Sequence, residues 1–189
     1  MTPLGRDVVL LLVDLQKAID DPSWGRRNNP ALEANVARLL AAWRASGRPV
    51  IHVRHDSAEP GSTYRPGQPG HGFKEEARPA PGEAVVAKRV NSAFVGTDLE
   101  ARLRGAGRSR LVVCGVVTNN SVEATVRMAG NLGFDAVVVS DATAAFDKRD
   151  LRGRLWPAED VHALSLANLE GEYARVLDTD AVLAAIRGW

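Results

Sequence analysis

The sequence predicts one doubly wound, three-layer α/β/α domain over residues 1–189. Three observations predict it. Short apolar runs alternate along the chain with helical patterns, which implies right-handed crossovers and a mostly parallel sheet. The runs are apolar almost throughout, as strands buried on both faces are. The 189 residues suffice for one ordinary core, with 45% hydrophobic and 25% charged residues.

The first run, "VVLLLV" (8–13), ends at Asp14. "PALEANVARLLAAWRASG" (30–47) reads as a helix, with proline in its first turn and a stop at Gly47. "VIHV" (50–53) and "AVVA" (84–87) are the next strands, and Lys88 follows the second of them. "TDLEARLRGAG" is helical. "RLVVCG" (110–115) is a strand, "NSVEATVRMAGNLG" a helix and "AVVVS" (136–140) a strand. Two helices, "AEDVHALSLANLEGEY" and "DTDAVLAAIRGW", complete the chain as read.

The segment between strands two and three, residues 56–83, is rich in proline and glycine and too long for a simple connector. Such segments serve as lids or binding loops, or are disordered. Tyr64, His71 and Phe73 within it favour an ordered loop.

Composition narrows the function. A formal net charge of +1 gives no electrostatic reason to expect nucleic acid or an acidic membrane as partner. Cys114 is the one cysteine, so an intrachain disulfide and a cysteine-rich zinc site are both excluded, and a cytoplasmic location is expected. The six-residue run at 8–13 is too short for a membrane span and lacks the cleavage region of a signal peptide.

In doubly wound sheets, ligands bind beyond the carboxyl ends of the strands. Asp14 after the first strand, Lys88 after the third and Ser121 in the segment after the fourth therefore point to one rim. Each alone reads as a turn, a solvated or a cap residue; together they form a candidate catalytic set. Asn120, with Glu123 three residues on, reads as a capping box that starts the helix at Ser121. Gln16, two residues past Asp14, is placed to orient the carboxylate or a substrate. Trp24 and Tyr64 either line the pocket or simply pack. Asn119 is placed to reach a substrate from the turn.

"LLVDLQ", "AKRVNSAFVGTDLEARLR" and "VVCGVVTNNSVEATVRMAGNLGFDAVVVSDATAAF" together resemble the isochorismatase-like cysteine hydrolase superfamily, which includes nicotinamidases and carbamoyl-amide hydrolases. The resemblance runs from about residue 7 to about residue 147. It implies a six-stranded parallel sheet, a catalytic aspartate at Asp14 and a lysine at Lys88. It also implies a non-proline cis peptide in the turn, joining Val117 and Thr118. The nucleophilic cysteine position falls on Ser121, which departs from the pattern. Cys114, inside its strand, is too buried to substitute, because an apolar site makes a thiol inert.

Two enzymatic routes stay open. Ser121 attacks an amide or related C–N bond, with Asp14 or a neutral Lys88 taking its proton. Alternatively Asp14 protonates a vinyl ether as a general acid with a raised pKa, and water attacks. A non-catalytic pocket that binds a small molecule or partner is the third reading. No cofactor is expected. No metal is expected either: His52 and His55 are three apart on a strand and face opposite ways, and Asp56 follows them without the Asp-x-His order of metal-binding relatives. His55 is read as a substrate-contacting or loop-fixing residue and His52 as a core histidine. The resemblance also implies a homo-oligomer, a dimer or tetramer, and the apolar helices, with Trp156 as an exposed candidate, permit one.

Overall fold

The computed structural model describes residues 4–187. Its core is a six-stranded, fully parallel sheet. The strands are β1 (Val9–Val13), β2 (Val50–His55), β3 (Ala84–Lys88), β4 (Arg110–Val116) and β5 (Asp135–Ala144). A short hairpin, β6 (Lys148–Arg149) and β7 (Leu155–Trp156), stands apart, and β8 (Arg175–Leu177) completes the sheet. The order β3-β2-β1-β4-β5-β8 reverses direction between β1 and β4, where a crevice opens.

The five strands read from the sequence are all present, within a few residues at their ends. The sixth, β8, lies in a stretch read as connecting two helices. It is three half-buried residues at the sheet edge, too short for a periodic signal. The hairpin β6–β7, two residues per strand, is equally silent in the sequence.

Alternation along β1 assigns the two layers. Leu10 and Leu12 pack with Val112, Cys114, Val137 and Val139 against α1 (Leu32–Ala45) and α5 (Thr179–Arg187). Val9, Leu11 and Val13 pack with Leu111, Val113 and Val138 against α2 (Leu99–Gly105) and α3 (Glu123–Asn131). The end of α4 (Ala158–Leu169) joins this second layer through Leu169. Trp43 fills the α1 side, and its indole N–H donates to the Val8 carbonyl at 3.1 Å. The predicted final helix extends to residue 189, and its last two residues lie outside the described region.

One glycine fixes how closely β4 approaches β1. Gly115 has φ +128°, and a Cβ there would overlap the Val13 carbonyl oxygen. The pairing of β4 with β5 shifts register between Val113 and Gly115. Gly115→Ala is expected to lower unfolding free energy by about 2–3 kcal/mol, from the backbone conformation and the clash together. Denaturant unfolding checks this; a loss under about 0.5 kcal/mol, the range of ordinary surface changes, would contradict the close-approach argument.

Candidate active site

The ends of β1, β2 and β3 bring the predicted residues together. Asp14 follows β1 with φ +54°, a left-handed backbone that aspartate tolerates better than most residues. Lys88 is the last residue of β3 and pairs in register with His55 at the end of β2, so both side chains emerge on one face. Lys88 Nζ donates to Asp14 Oδ2 at 2.6 Å and approaches Ser121 Oγ and His55 Nδ1, each at 3.2 Å. All three proposed catalytic side chains are buried.

Burial governs their charges. It pushes the Asp14 carboxyl up, while the Lys88 charge and the hydrogen bond from Lys88 pull it back. It pushes the Lys88 ammonium down, while Asp14 opposes the change. Each partner opposes the loss of charge that burial favours in the other. Burial, then the Lys88 charge, pushes His55 down to about 4, so its imidazole is neutral near pH 7. Because Lys88 donates to Nδ1, the His55 proton sits on Nε2.

One buried oxygen of the cluster, Asp14 Oδ1, has no hydrogen-bond partner. If Lys88 spends its three protons on Asp14, His55 and the lone pair of Ser121 Oγ, the serine proton remains to be directed elsewhere. The unpartnered Asp14 Oδ1 is an acceptor that still lacks a donor.

Above the cluster is a cleft of about 130 Å³. Asp14, His55 and Ser121 line it from the strand side, together with Val116 and Val117. Trp24 and Tyr64 line it from the loops, their rings edge to face at 6.1 Å. Tyr64 also donates to the Asp14 carbonyl at 3.3 Å and meets the His55 ring edge-on at 5.6 Å. Residues 56–83 are an ordered loop: His71 bonds Asp56 at 2.7 Å, and Gln16 anchors the loop from below.

Several expectations change at this point. Gln16 does not face the cleft. Its amide bonds the carbonyls of His55 and His71 at 3.1 and 2.8 Å, and its oxygen accepts the His55 N–H at 2.7 Å. Its work is to fix the end of β2 and the loop. The cis peptide joins Val116 to Val117, one residue earlier than expected. Thr118 is buried away from the cleft and bonds His162 at 2.8 Å.

The capping box does not form. Residues Thr118–Val122 make a single π-helical turn, and α3 begins only at Glu123, whose carboxylate binds Arg127 and Ser165. The wider turn rotates Asn120 toward the cleft and Asn119 away from it. Asn119 instead borders a second groove, of about 680 Å³, between the hairpin and α4. Asn91 and Ser62, which the sequence reading missed, complete the cleft; both lie in loops where no periodicity marks a side chain's direction.

Cys114 is inside β4, and burial pushes its thiol up to about 12. His52 is a core histidine bonded to Glu83 at 2.8 Å. Among the described residues, no three His, Cys, Asp or Glu side chains gather as a metal site would require. None of the described helices is long and apolar enough to cross a membrane.

Fold and cleft together define a doubly wound α/β protein with a buried carboxylate–lysine–serine cluster at the carboxyl ends of its strands. The isochorismatase domain model matches residues 8–181, and the chain belongs to the isochorismatase family. The isochorismatase-family protein YrdC of Bacillus subtilis is 42% identical over 92% of this chain and 93% of its own. An isochorismatase-family crystal structure from Chromobacterium violaceum is 58% identical, covers all of both chains and superposes with a TM-score of 0.96. The ureidoacrylate amidohydrolase RutB of Variovorax paradoxus is 30% identical over 72% of this chain and 68% of its own.

Proposed function

We propose that this chain is a hydrolase of a small-molecule amide or related C–N bond, with Ser121 as nucleophile, Asp14 as proton carrier and Lys88 as electrostatic partner. The observation that carries the reading is the cluster itself: one buried ammonium contacting both a carboxylate and the serine oxygen, beside a carboxylate oxygen left free to take a proton. An amidohydrolase among the relatives supports the bond type.

The chemistry balances without a further group. Ser121 Oγ forms a bond to the substrate carbonyl carbon as its proton passes to Asp14 Oδ1. Asp14 returns that proton to the leaving nitrogen as the C–N bond breaks, which leaves an ester on Ser121. Water then attacks the ester and gives a proton to Asp14, which restores it to Ser121 Oγ as the acid departs. Lys88, already beside Oγ, offsets the negative charge that develops there. The backbone N–H groups of Val117 and Ser121, which line the cleft, are the candidates to face the carbonyl oxygen.

A panel of small amides and esters tests the reading, with Ser121→Cys alongside the native protein. Ser121→Cys is expected to retain or raise turnover, since a thiolate is favoured beside Lys88. Its complete inactivity on a substrate that the native protein hydrolyses would overturn Ser121 as nucleophile.

A second mechanism has one observation in its favour. Burial raises the Asp14 carboxyl, as general-acid cleavage of a vinyl ether requires. It leaves the contact between Lys88 and Ser121 without a task, so it ranks second.

We also propose that the chain forms a dimer or larger homo-oligomer. Trp156 is a poor candidate contact, half-buried under Arg154 and bonded to Asp150. Leu151, Leu155 and Leu164 are the exposed apolar residues around the hairpin and α4. Light scattering at micromolar concentration is expected to give at least twice 20.3 kDa; the monomer mass throughout would reject assembly.

A further inference from the structure

Ser121 sits on a π-helical turn, Thr118–Val122, that no side chain caps. Besides Ser121, Thr118 is the one residue of the turn whose side chain has a hydrogen-bond partner among the described residues. That partner is His162 Nδ1, on α4, at 2.8 Å. Thr118 is fully buried and His162 is 8% exposed, so water does not compete for the bond. His162 does not line the cleft, and whatever it does for the site passes through Thr118. The same face of α4 grips the chain again just past the turn. Ser165, three residues on from His162, donates to the Glu123 carboxylate.

The direction of the Thr118 bond follows from what lies behind the imidazole. Asn29 donates its two amide protons to the carbonyls of Ser140 and Thr143, at 2.8 and 2.6 Å. It has none left for His162 Nε2, 3.5 Å away. Nε2 therefore carries the ring proton, on the side of the Ser140 carbonyl, and burial holds the ring below the ordinary histidine value and so neutral near pH 7. Nδ1 is then an acceptor, and the Thr118 hydroxyl donates to it. Lys88 reaches Ser121 Oγ from the sheet, at 3.2 Å. His162 holds the start of the turn from α4. The two together define where the serine oxygen lies, and a displacement of about 1 Å at a reacting atom costs about 10²-fold in rate.

We propose that His162 is a positioning residue: its Nδ1 fixes the Thr118 hydroxyl and so sets where the π-helical turn places the Ser121 side chain beside Lys88. This rests on the Ser121 reading for its bearing on turnover, but the placement itself can be measured without turnover.

The test is the alkylation rate of full-length Ser121→Cys by iodoacetamide, which reads the thiolate at that position. Cys114 does not compete, because burial pushes its thiol up to about 12. In the Ser121→Cys background, His162→Leu is expected to slow alkylation about tenfold or more, and Thr118→Val, which keeps the shape and removes the hydroxyl, to slow it by a similar factor. His162→Asn, whose amide oxygen replaces Nδ1 as acceptor, is expected to recover most of the rate. Combining His162→Leu with Thr118→Val should add little to either loss, since both remove one bond. With Ser121 intact, on a substrate that the native protein hydrolyses, His162→Leu should lower kcat and leave KM within about twofold. A rate within about twofold of the Ser121→Cys parent in Thr118→Val would overturn the proposal. So would a His162→Asn rate as low as that of His162→Leu, because packing of the ring, not its acceptor, would then be the cause. If His162→Leu fails to fold, Thr118→Val and His162→Asn decide the matter between them. If alkylation follows the expected pattern but the native protein hydrolyses no amide or ester, the positioning stands and the hydrolase reading fails.

Discussion

Asp14→Asn is expected to reduce kcat/KM about 10³-fold, with most of the loss in kcat. An asparagine at this position can still accept the Lys88 hydrogen bond, so the cluster keeps its shape. It can neither take the serine proton nor return it to a leaving nitrogen, and general acid–base catalysis is worth about 10²–10⁴-fold. The pH profile of the native protein carries the same information. Asp14 must be ionised to act as base, so the rate falls as pH drops through its pKa. Burial sets that pKa above the ordinary carboxylate value, and the acid limb shifts upward with it. His55, pushed down to about 4, adds no step near neutrality. Steady-state kinetics across pH checks both points. An acid limb at the ordinary carboxylate value would contradict the raised Asp14 pKa.

Lys88→Met is expected to cost about 3–5 kcal/mol of stability at pH 7 as well as activity. The methionine fills a similar volume, but Asp14 would be left as a buried carboxylate with no counter-charge. The sign of the pH dependence follows from the Asp14 shift. In the native chain Lys88 is what pulls the Asp14 pKa down against burial, so its removal raises that pKa further. A folded-state pKa above the unfolded one means that the folded state binds more protons between the two values. Stability is therefore fully present below the unfolded pKa and is lost as pH rises toward the folded one. Lys88→Met should recover relative to the native protein as pH falls from 7 toward 4. Denaturant unfolding at several pH values measures it; a deficit independent of pH would show that lost packing, not the stranded carboxylate, is responsible.

The residues that meet in the cleft were legible in the sequence to an uneven degree. Asp14, Lys88 and Ser121 stood out because they flank apolar runs, and strand ends in a doubly wound sheet share one rim. Trp24, His55 and Tyr64 also reach the cleft. The errors cluster in the turn after β4. A π-helical turn has no signature in apolar spacing, and the sequence reading placed Asn119 where Asn120 lies. The capping box does not form because Thr118–Val122 make a π-helical turn, and Glu123 binds Arg127 and Ser165 instead. The spacing of Gln16 from Asp14 implies a shared face, from which it would orient the carboxylate or a substrate. The chain leaves the strand at Asp14 with a positive φ, and the period of two ends there.

The central claim is that Ser121 attacks the substrate, and the most direct measurement compares Ser121→Ala with Asp14→Asn on one substrate that the native protein hydrolyses. Both variants are expected to lose nearly all turnover, while Ser121→Ala still binds the substrate, because the hydroxyl acts chiefly in the transition state. Native-like turnover by Ser121→Ala on a substrate that Asp14→Asn cannot process would contradict the nucleophilic role and leave Asp14 as a general acid.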